Sequence, residues 1–199
     1  MYTLLEAQSL PERLVGAETR LLGAYASRVP AAFVIPPGYQ EDFYRHNNLP
    51  AQLSALFASI RPQRIDEDAL ETLCVQAQGL LRGCALLDDS VQQLQRALHQ
   101  SGLESGTVHL RRPGARVCEL AQTRPPGAEV LFALKRLWAA DWGFGAVLSR
   151  LDDEGSVALE AAPVLVLRGE PGQPDAGLAA EIGVSGAWVN AQGLVGLAS

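Results

Sequence analysis

The strongest constraint on the fold is a change of hydrophobic pattern near residue 102. From Leu49 to Gly102 apolar residues recur at helical spacing, whereas "TVHL" and "RVCELA" alternate as strands around a Pro-Gly turn. The whole order is helix, strand, helices, two strands, helix and strands, which is not a regular βαβ alternation. We therefore predict an α+β fold in which helices pack on a mostly antiparallel sheet.

The length of 199 residues fits one domain with a small appendage. We assign residues 1–170 to the main domain and residues 171–199 to a linker and short strands, because "EPGQPDAG" has the composition of a linker. The sequence also predicts four local elements. Two are single helices, one through "SLPERLVGAETRLLGAYAS" and a long one through "AEVLFALKRLWAADWGFGAVLSRL". The others are a buried strand over Ala32–Ile35 and a helix capped by Asp88, Asp89 or Ser90.

Charge and composition indicate which kinds of partner and which cellular location to expect. A net charge of −6 argues against nucleic acid as a partner, because sequence-independent binding of nucleic acid needs a basic surface. We see neither a signal peptide nor an apolar stretch as long as a membrane span, and we expect a cytoplasmic protein with no membrane partner. Cys74, Cys84 and Cys118 lack the spacing of metal ligands and are expected to be small buried side chains.

Three arginines surround the Pro-Gly turn and form the candidate site. Arg111, Arg112 and Arg116 could bind a phosphate, a nucleotide or an acidic partner, because a guanidinium at the end of a strand can donate two parallel hydrogen bonds to phosphate oxygens. The alternative is a solvated hairpin tip whose arginines pair with Glu119 or with aspartates. Of the histidines, His109 lies in the strand beside Arg111 and could share the site.

Other candidate residues have simpler structural explanations. "GVSGAW" lacks the last glycine of a nucleophile turn and is better explained as a glycine turn between strands. The pairs Asp88–Asp89 and Asp152–Asp153 fit a helix cap and a polar loop better than a metal site. His46 and His99 are scattered along the chain.

The order of segments resembles the N-terminal part of the ATP-binding domain of phosphoenolpyruvate synthase and pyruvate phosphate dikinase. The resemblance covers roughly Leu10 to Gly169. It is carried by "LVGAETRLLGAYASRVPAAFVIPPGY", by "VHLRR" and "RVCELAQT" as outgoing and returning strands, and by "VLFALKRLWAADWGFGAVLSRL" as the following helix.

The resemblance implies an ATP-grasp-type fold with ATP and magnesium as cofactors, and it places Arg111 on the family's phosphate-contacting arginine. The departures are that Glu18 falls on the family's phosphate-contacting lysine, that Arg112 and Pro113 replace two serines, and that the lid loop is cut to "PGA". The subdomain that carries the family's metal-binding carboxylates would lie beyond residue 199.

These departures lead to three hypotheses about function. The first is a degenerate, non-catalytic ATP-grasp-like domain that binds a protein partner or associates with itself, with weak nucleotide binding at the three arginines. The second is an unrelated α+β scaffold or oligomer subunit whose C-terminal strands pair with another chain. The third is the ATP-binding half of a split phosphotransferase that acts with a partner chain.

Overall fold

A computed structural model describes residues 1–62, 64–124 and 127–198, which form an α+β fold with antiparallel sheets. The fold class predicted from the sequence is confirmed. The strands are β1 (Tyr2–Thr3), β2 (Ala32–Ile35), β3 (Thr107–Arg111), β4 (Cys118–Gln122), β5 (Val164–Arg168), β6 (Gln173–Pro174), β7 (Gly186–Asn190) and β8 (Gly193–Ala198). The helices are α1 (Leu4–Ala7), α2 (Glu12–Val15), α3 (Ala17–Ala24), α4 (Pro37–His46), α5 (Leu49–Leu56), α6 (Glu67–Gly83), α7 (Asp88–Gln100), α8 (Ala128–Ala140), α9 (Phe144–Glu154) and α10 (Ala176–Ile182).

The larger sheet has the strand order β1-β2-β5-β3-β4, and its central strand β5 is buried on both faces. Val164 and Val166 point into the core formed with helices α4 to α9, whereas Leu165 and Leu167 point into a second core with helices α1 to α3. A strand covered on both faces has a continuous apolar sequence, which explains the run "VLVL".

The smaller sheet, β6-β7-β8, packs on the second face of the larger one. Val15 and Leu22 of the N-terminal helices share a core with Leu194 and Leu197 of β8. The segment after residue 170 that was predicted to be a linker contains β6 and the start of α10. Apolar packing joins the C-terminal strands to the N-terminal helices.

The strand predicted over Ala32–Ile35 is confirmed. The single helix predicted around Gly16 is wrong, because the chain forms two helices there. Gly16 has φ +83°, ψ 148° and separates α2 from α3. A Cβ atom built on Gly16 would lie 2.5 Å from Cβ of Pro113, so the chain bends where it meets the β3–β4 turn. The break is caused by a contact that is distant in sequence.

Two further boundaries differ from the predictions. The long helix is interrupted between Ala140 and Phe144, where the Asp141 side chain binds Arg112 and its carbonyl accepts a hydrogen bond from Arg150 at 2.8 Å. Helix α7 has Leu87 at its N-cap, without a side-chain cap, so the predicted capping by Asp88, Asp89 or Ser90 is wrong. Those acidic side chains lie in the first turn, where they complement the helix dipole.

We predict that Gly16→Ala lowers the free energy of unfolding by about 2 kcal/mol or more, because alanine adds both backbone strain and a clash with Pro113. Urea unfolding followed by tryptophan fluorescence measures the change. Gly145→Ala is the matched control, since nothing lies within 4 Å of the added methyl group and Gly145 is inside helix α9. Equal stability of the two variants would contradict the role assigned to Gly16.

Within the ranges described, no helix combines the length and the apolar character that crossing a bilayer requires.

Candidate functional site

The β3–β4 turn sends its three arginines to different places. Arg111 is the last residue of β3 and is buried, with 3% of its side chain exposed. Arg116 approaches Arg111 from the same face of the sheet, because both contact Glu18. Arg112 turns to the other face and meets Asp141. The structure therefore brings together two of the three predicted site residues and separates the third.

Arg111 and Glu18 form a buried, two-pronged ion pair. Nη1 of Arg111 lies 2.5 Å from Oε2 of Glu18, and Nη2 lies 2.9 Å from Oε1. Nη2 also donates to the Val195 carbonyl at 2.7 Å, and Nη1 donates to the carbonyls of Arg112 and Ala115 at 3.3 Å each. Both terminal nitrogens of Arg111 are thus engaged by groups of this chain.

Glu18 lies in the first turn of α3 and accepts hydrogen bonds from four residues. Besides Arg111, the donors are Nη2 of Arg116 at 3.0 Å, the backbone N–H of Gly114 at 2.6 Å and the backbone N–H of Leu197 at 2.8 Å. Guanidinium groups and backbone N–H groups that converge on one point form an anion-binding cradle. Here the anion is a carboxylate of the protein itself.

This cradle determines the charge state of Glu18. Burial by itself would raise the pKa of the carboxyl group, but the hydrogen bonds and charge of Arg111, with the N–H groups of Gly114 and Leu197, outweigh burial and hold the pKa below its ordinary value. Glu18 is therefore ionised at neutral pH.

The same cluster covers the free edge of β8, the last strand of the smaller sheet. Arg111 binds the Val195 carbonyl, Glu18 accepts the Leu197 N–H, and Arg116 donates to the Leu197 carbonyl at 3.3 Å. The Arg116 guanidinium also lies 3.7 Å from the centre of the Trp188 ring, at cation–π distance. An edge whose main-chain groups are already paired offers little to an additional strand.

Arg112 joins elements on the opposite face. Its Nη2 lies 2.5 Å from Oδ2 of Asp141 and 2.9 Å from Oε1 of Gln40, and its Nη1 donates to the carbonyl of Ala162. Arg112 thus ties the hairpin turn to α4, to the α8–α9 junction and to the segment before β5. This set of contacts is structural, since it consumes the donors that a ligand would need.

Only some of the partners that the sequence suggested for the turn arginines are found in the structure. Glu119 pairs with Arg136 on α8 at 2.6 Å instead of with the turn arginines, whereas an aspartate, Asp141, does pair with Arg112. His109 is buried and shares a hydrogen bond of 2.8 Å between Nδ1 and the Gly169 carbonyl. Burial lowers the pKa of His109, which favours the neutral ring with the proton on Nδ1.

The residues around Arg111 do not fit the triphosphate of ATP, which the family resemblance implies as a cofactor together with magnesium. The position of a phosphate beside Arg111 is filled by the Glu18 carboxylate, whose charge would repel a triphosphate. Among the residues that the structure describes, no group of three or more His, Cys, Asp or Glu side chains is placed to hold a metal ion. We derive no chemical step through either group.

No protein-family model matches the chain, and no curated protein sequence matches it significantly.

Proposed function

We propose that this chain is a non-catalytic, ATP-grasp-like domain that acts by binding another protein. The observation that carries the proposal is the Glu18 carboxylate inside the cradle formed by Arg111, Arg116, Gly114 and Leu197. An anion site that is closed by an internal carboxylate gives no affinity for an external phosphate, because the two anions would compete for the same donors and repel each other.

The relationship to the phosphoenolpyruvate synthase family, as a proposal, is supported by the same contact. The resemblance assigns phosphate contacts to a lysine at the position of residue 18 and to an arginine at residue 111. In this chain the two positions are in direct contact at 2.5 Å, although they are 93 residues apart in sequence. Replacement of that lysine by glutamate would turn a phosphate site with two cations into a salt bridge between Glu18 and Arg111. The scaffold would be retained.

The other two hypotheses have less support. Pairing of the C-terminal strands with another chain would need a free edge, but the β8 edge is bonded to Glu18, Arg111 and Arg116. The opposite edge, β6, is two residues long and contains Pro174, which has no N–H to donate. A split phosphotransferase would need the phosphate position that Glu18 occupies.

The test of the proposal is a calorimetric titration with ATP at millimolar magnesium. We expect no saturable binding up to millimolar ATP and no release of ADP or AMP, because the donors of Arg111 are engaged. Arg116→Ala and Arg20→Ala are compared in parallel, since Arg116 is partly exposed beside Glu18 and Arg20 is an exposed arginine elsewhere on α3. Micromolar binding with turnover, weakened by Arg116→Ala and unchanged by Arg20→Ala, would overturn the proposal.

A further inference from the structure

His109 is a buried ionisable side chain to which the candidate site gives no role. It lies on β3, which is hydrogen-bonded to β4 on one side and to β5 on the other. Nδ1 donates to the Gly169 carbonyl at 2.8 Å, whereas Nε2 makes no hydrogen bond with any residue that the structure describes. Gly169 begins the connection from β5 to β6. The ring therefore ties the larger sheet to the chain that leads into the smaller sheet.

A cavity of about 80 Å³ lies where His109 faces the smaller sheet. The larger sheet lines it with His109 and Arg111, and the smaller sheet lines it with Trp188 of β7 and Val195 of β8. One or two water molecules fit this space, since each takes about 30 Å³ in the liquid. A protonated ring would need more water than that, because a buried charge is stabilised only by hydration or by a counter-charge.

Residues 169–172 and the smaller sheet together form what we call the cover of His109. A Cβ atom built on Gly172 would lie 2.5 Å from Cγ2 of Val195 and 2.9 Å from the backbone of Val189, so the connection packs directly on the smaller sheet. Strand β3 is fixed by its pairing with β4 and β5. Hydration of the ring therefore requires the cover to move away from β3.

The charges around His109 make a proton on this ring unfavourable. The ionisable side chains that surround it are Arg111 of β3, Arg116 of the β3–β4 turn, Cys118 of β4, Glu18 of α3 and Glu170 of the connection. The buried Glu18 carboxylate is already paired with both arginines, and Glu170 is exposed. Strands β6, β7 and β8 carry no charged residue. A proton on His109 would therefore add a third cation beside a carboxylate that is already engaged.

The folded protein favours the neutral ring of His109. Burial is the largest effect and lowers its pKa below the ordinary value of 6.5, and the Arg111 charge acts in the same direction against the carboxylates nearby. Since an unfolded histidine gains its proton near pH 6.5, stability falls as the pH drops below that value, until the folded pKa is reached. Glu18 does not contribute to this fall, because its carboxyl stays ionised down to pH 4.5.

We infer that the contact between His109 and its cover is an acid-sensitive switch. A proton on Nε2 favours hydration of the ring and displaces the cover, so the smaller sheet separates from β3 while the helical core around α6 remains folded. This opening requires no change at Glu18, and the inference does not depend on the proposed function.

Hydrogen exchange measured by mass spectrometry tests the switch at the level of single elements. Wild type is compared at about pH 7.5 and about pH 5, with rates corrected for the intrinsic pH dependence of exchange. We expect peptides from β7 and β8 to lose about tenfold more protection in acid than peptides from α6, which packs in the other core. No loss of protection, or an equal loss over the whole chain, would overturn the inference.

His109→Gln removes the titrating group and keeps a hydrogen-bond donor. Its amide can donate to the Gly169 carbonyl but cannot gain a proton in this pH range. We expect β7 and β8 of this variant to keep their protection in acid, whereas His46→Gln, a change at an exposed histidine, should respond as the wild type does. Equal acid responses of His109→Gln and wild type would contradict the switch.

The wild type also provides a readout that does not require a variant to fold. Nuclear magnetic resonance should show that the His109 ring titrates below pH 6.5, together with shifts of the Gly172 and Val195 amide signals. Titration of His109 at or above that pH, or titration without a response of those amides, would overturn the inference. None of these outcomes changes the ATP titration, so failure of this inference and failure of the proposed function are separate results.

Discussion

Replacement of Glu18 by alanine is expected to lower the free energy of unfolding by about 3–5 kcal/mol, because it leaves the buried Arg111 guanidinium without its counter-charge. The backbone N–H groups of Gly114 and Leu197 lose their acceptor in the same step. Urea unfolding measures the loss. Glu12→Ala is the control, since Glu12 is an exposed acid in the first turn of the preceding helix α2.

Small carboxylates provide a more specific test of the same variant. The space left by the Glu18 side chain retains the donors of Arg111, Arg116, Gly114 and Leu197, so formate or acetate should stabilise Glu18→Ala more than the wild type. Chloride at equal ionic strength controls for general salt effects. If carboxylates raise the stability of both proteins equally, the cradle is not an anion site.

The pH dependence of the difference between the two proteins has a definite sign. The folded pKa of Glu18 lies below its ordinary value of 4.5, so its stabilisation is complete above that pH and is lost as pH falls through the folded pKa. Wild type and Glu18→Ala should therefore converge in stability in acid. A constant difference from pH 7 down to the folded pKa and below would show that the carboxylate charge is not what stabilises the fold.

The fold class was predictable because periodicity is a local property of the sequence. The strand predicted at "TVHL" and the helices predicted between Leu49 and Gly102 are present in the structure, although β3 is buried on both faces. The break at Gly16 depends on a contact with Pro113 of the β3–β4 turn, which lies far away in the sequence and was not predictable from local pattern. The break between Ala140 and Phe144 includes a local signal, Gly143 at the N-cap of α9, together with a distant contact between Asp141 and Arg112. Local patterns predict the elements better than their ends.

The candidate site could also be predicted only in part from the sequence. The sequence indicated that Arg111, Arg112 and Arg116 cluster near a turn and that Glu18 is an unusual residue for its position. The family resemblance placed residues 18 and 111 at two phosphate-contacting positions, but it did not predict that the Glu18 carboxylate would itself bind Arg111, 93 positions away in the sequence.

Arg111→Met is also expected to lower the free energy of unfolding by about 3–5 kcal/mol, because it leaves the buried Glu18 carboxylate without its counter-charge. The double variant with Glu18→Ala should be less destabilised than the sum of the two single variants by about 2–3 kcal/mol, since it leaves neither charge unpaired. It remains less stable than the wild type, because Gly114, Leu197 and Val195 still lose main-chain partners.

The comparison pair for this cycle is Glu119 with Arg136, which lie 2.6 Å apart but are partly exposed. Solvent screening and a single point of contact, Nε of Arg136 to Oε2 of Glu119, should keep the coupling energy of that pair below about 1 kcal/mol. Coupling that is large for Glu18–Arg111 and small for Glu119–Arg136 follows from the burial of the first pair. Additive effects at Glu18 and Arg111 would mean that the two residues stabilise the fold independently, which would contradict the role assigned to the buried ion pair.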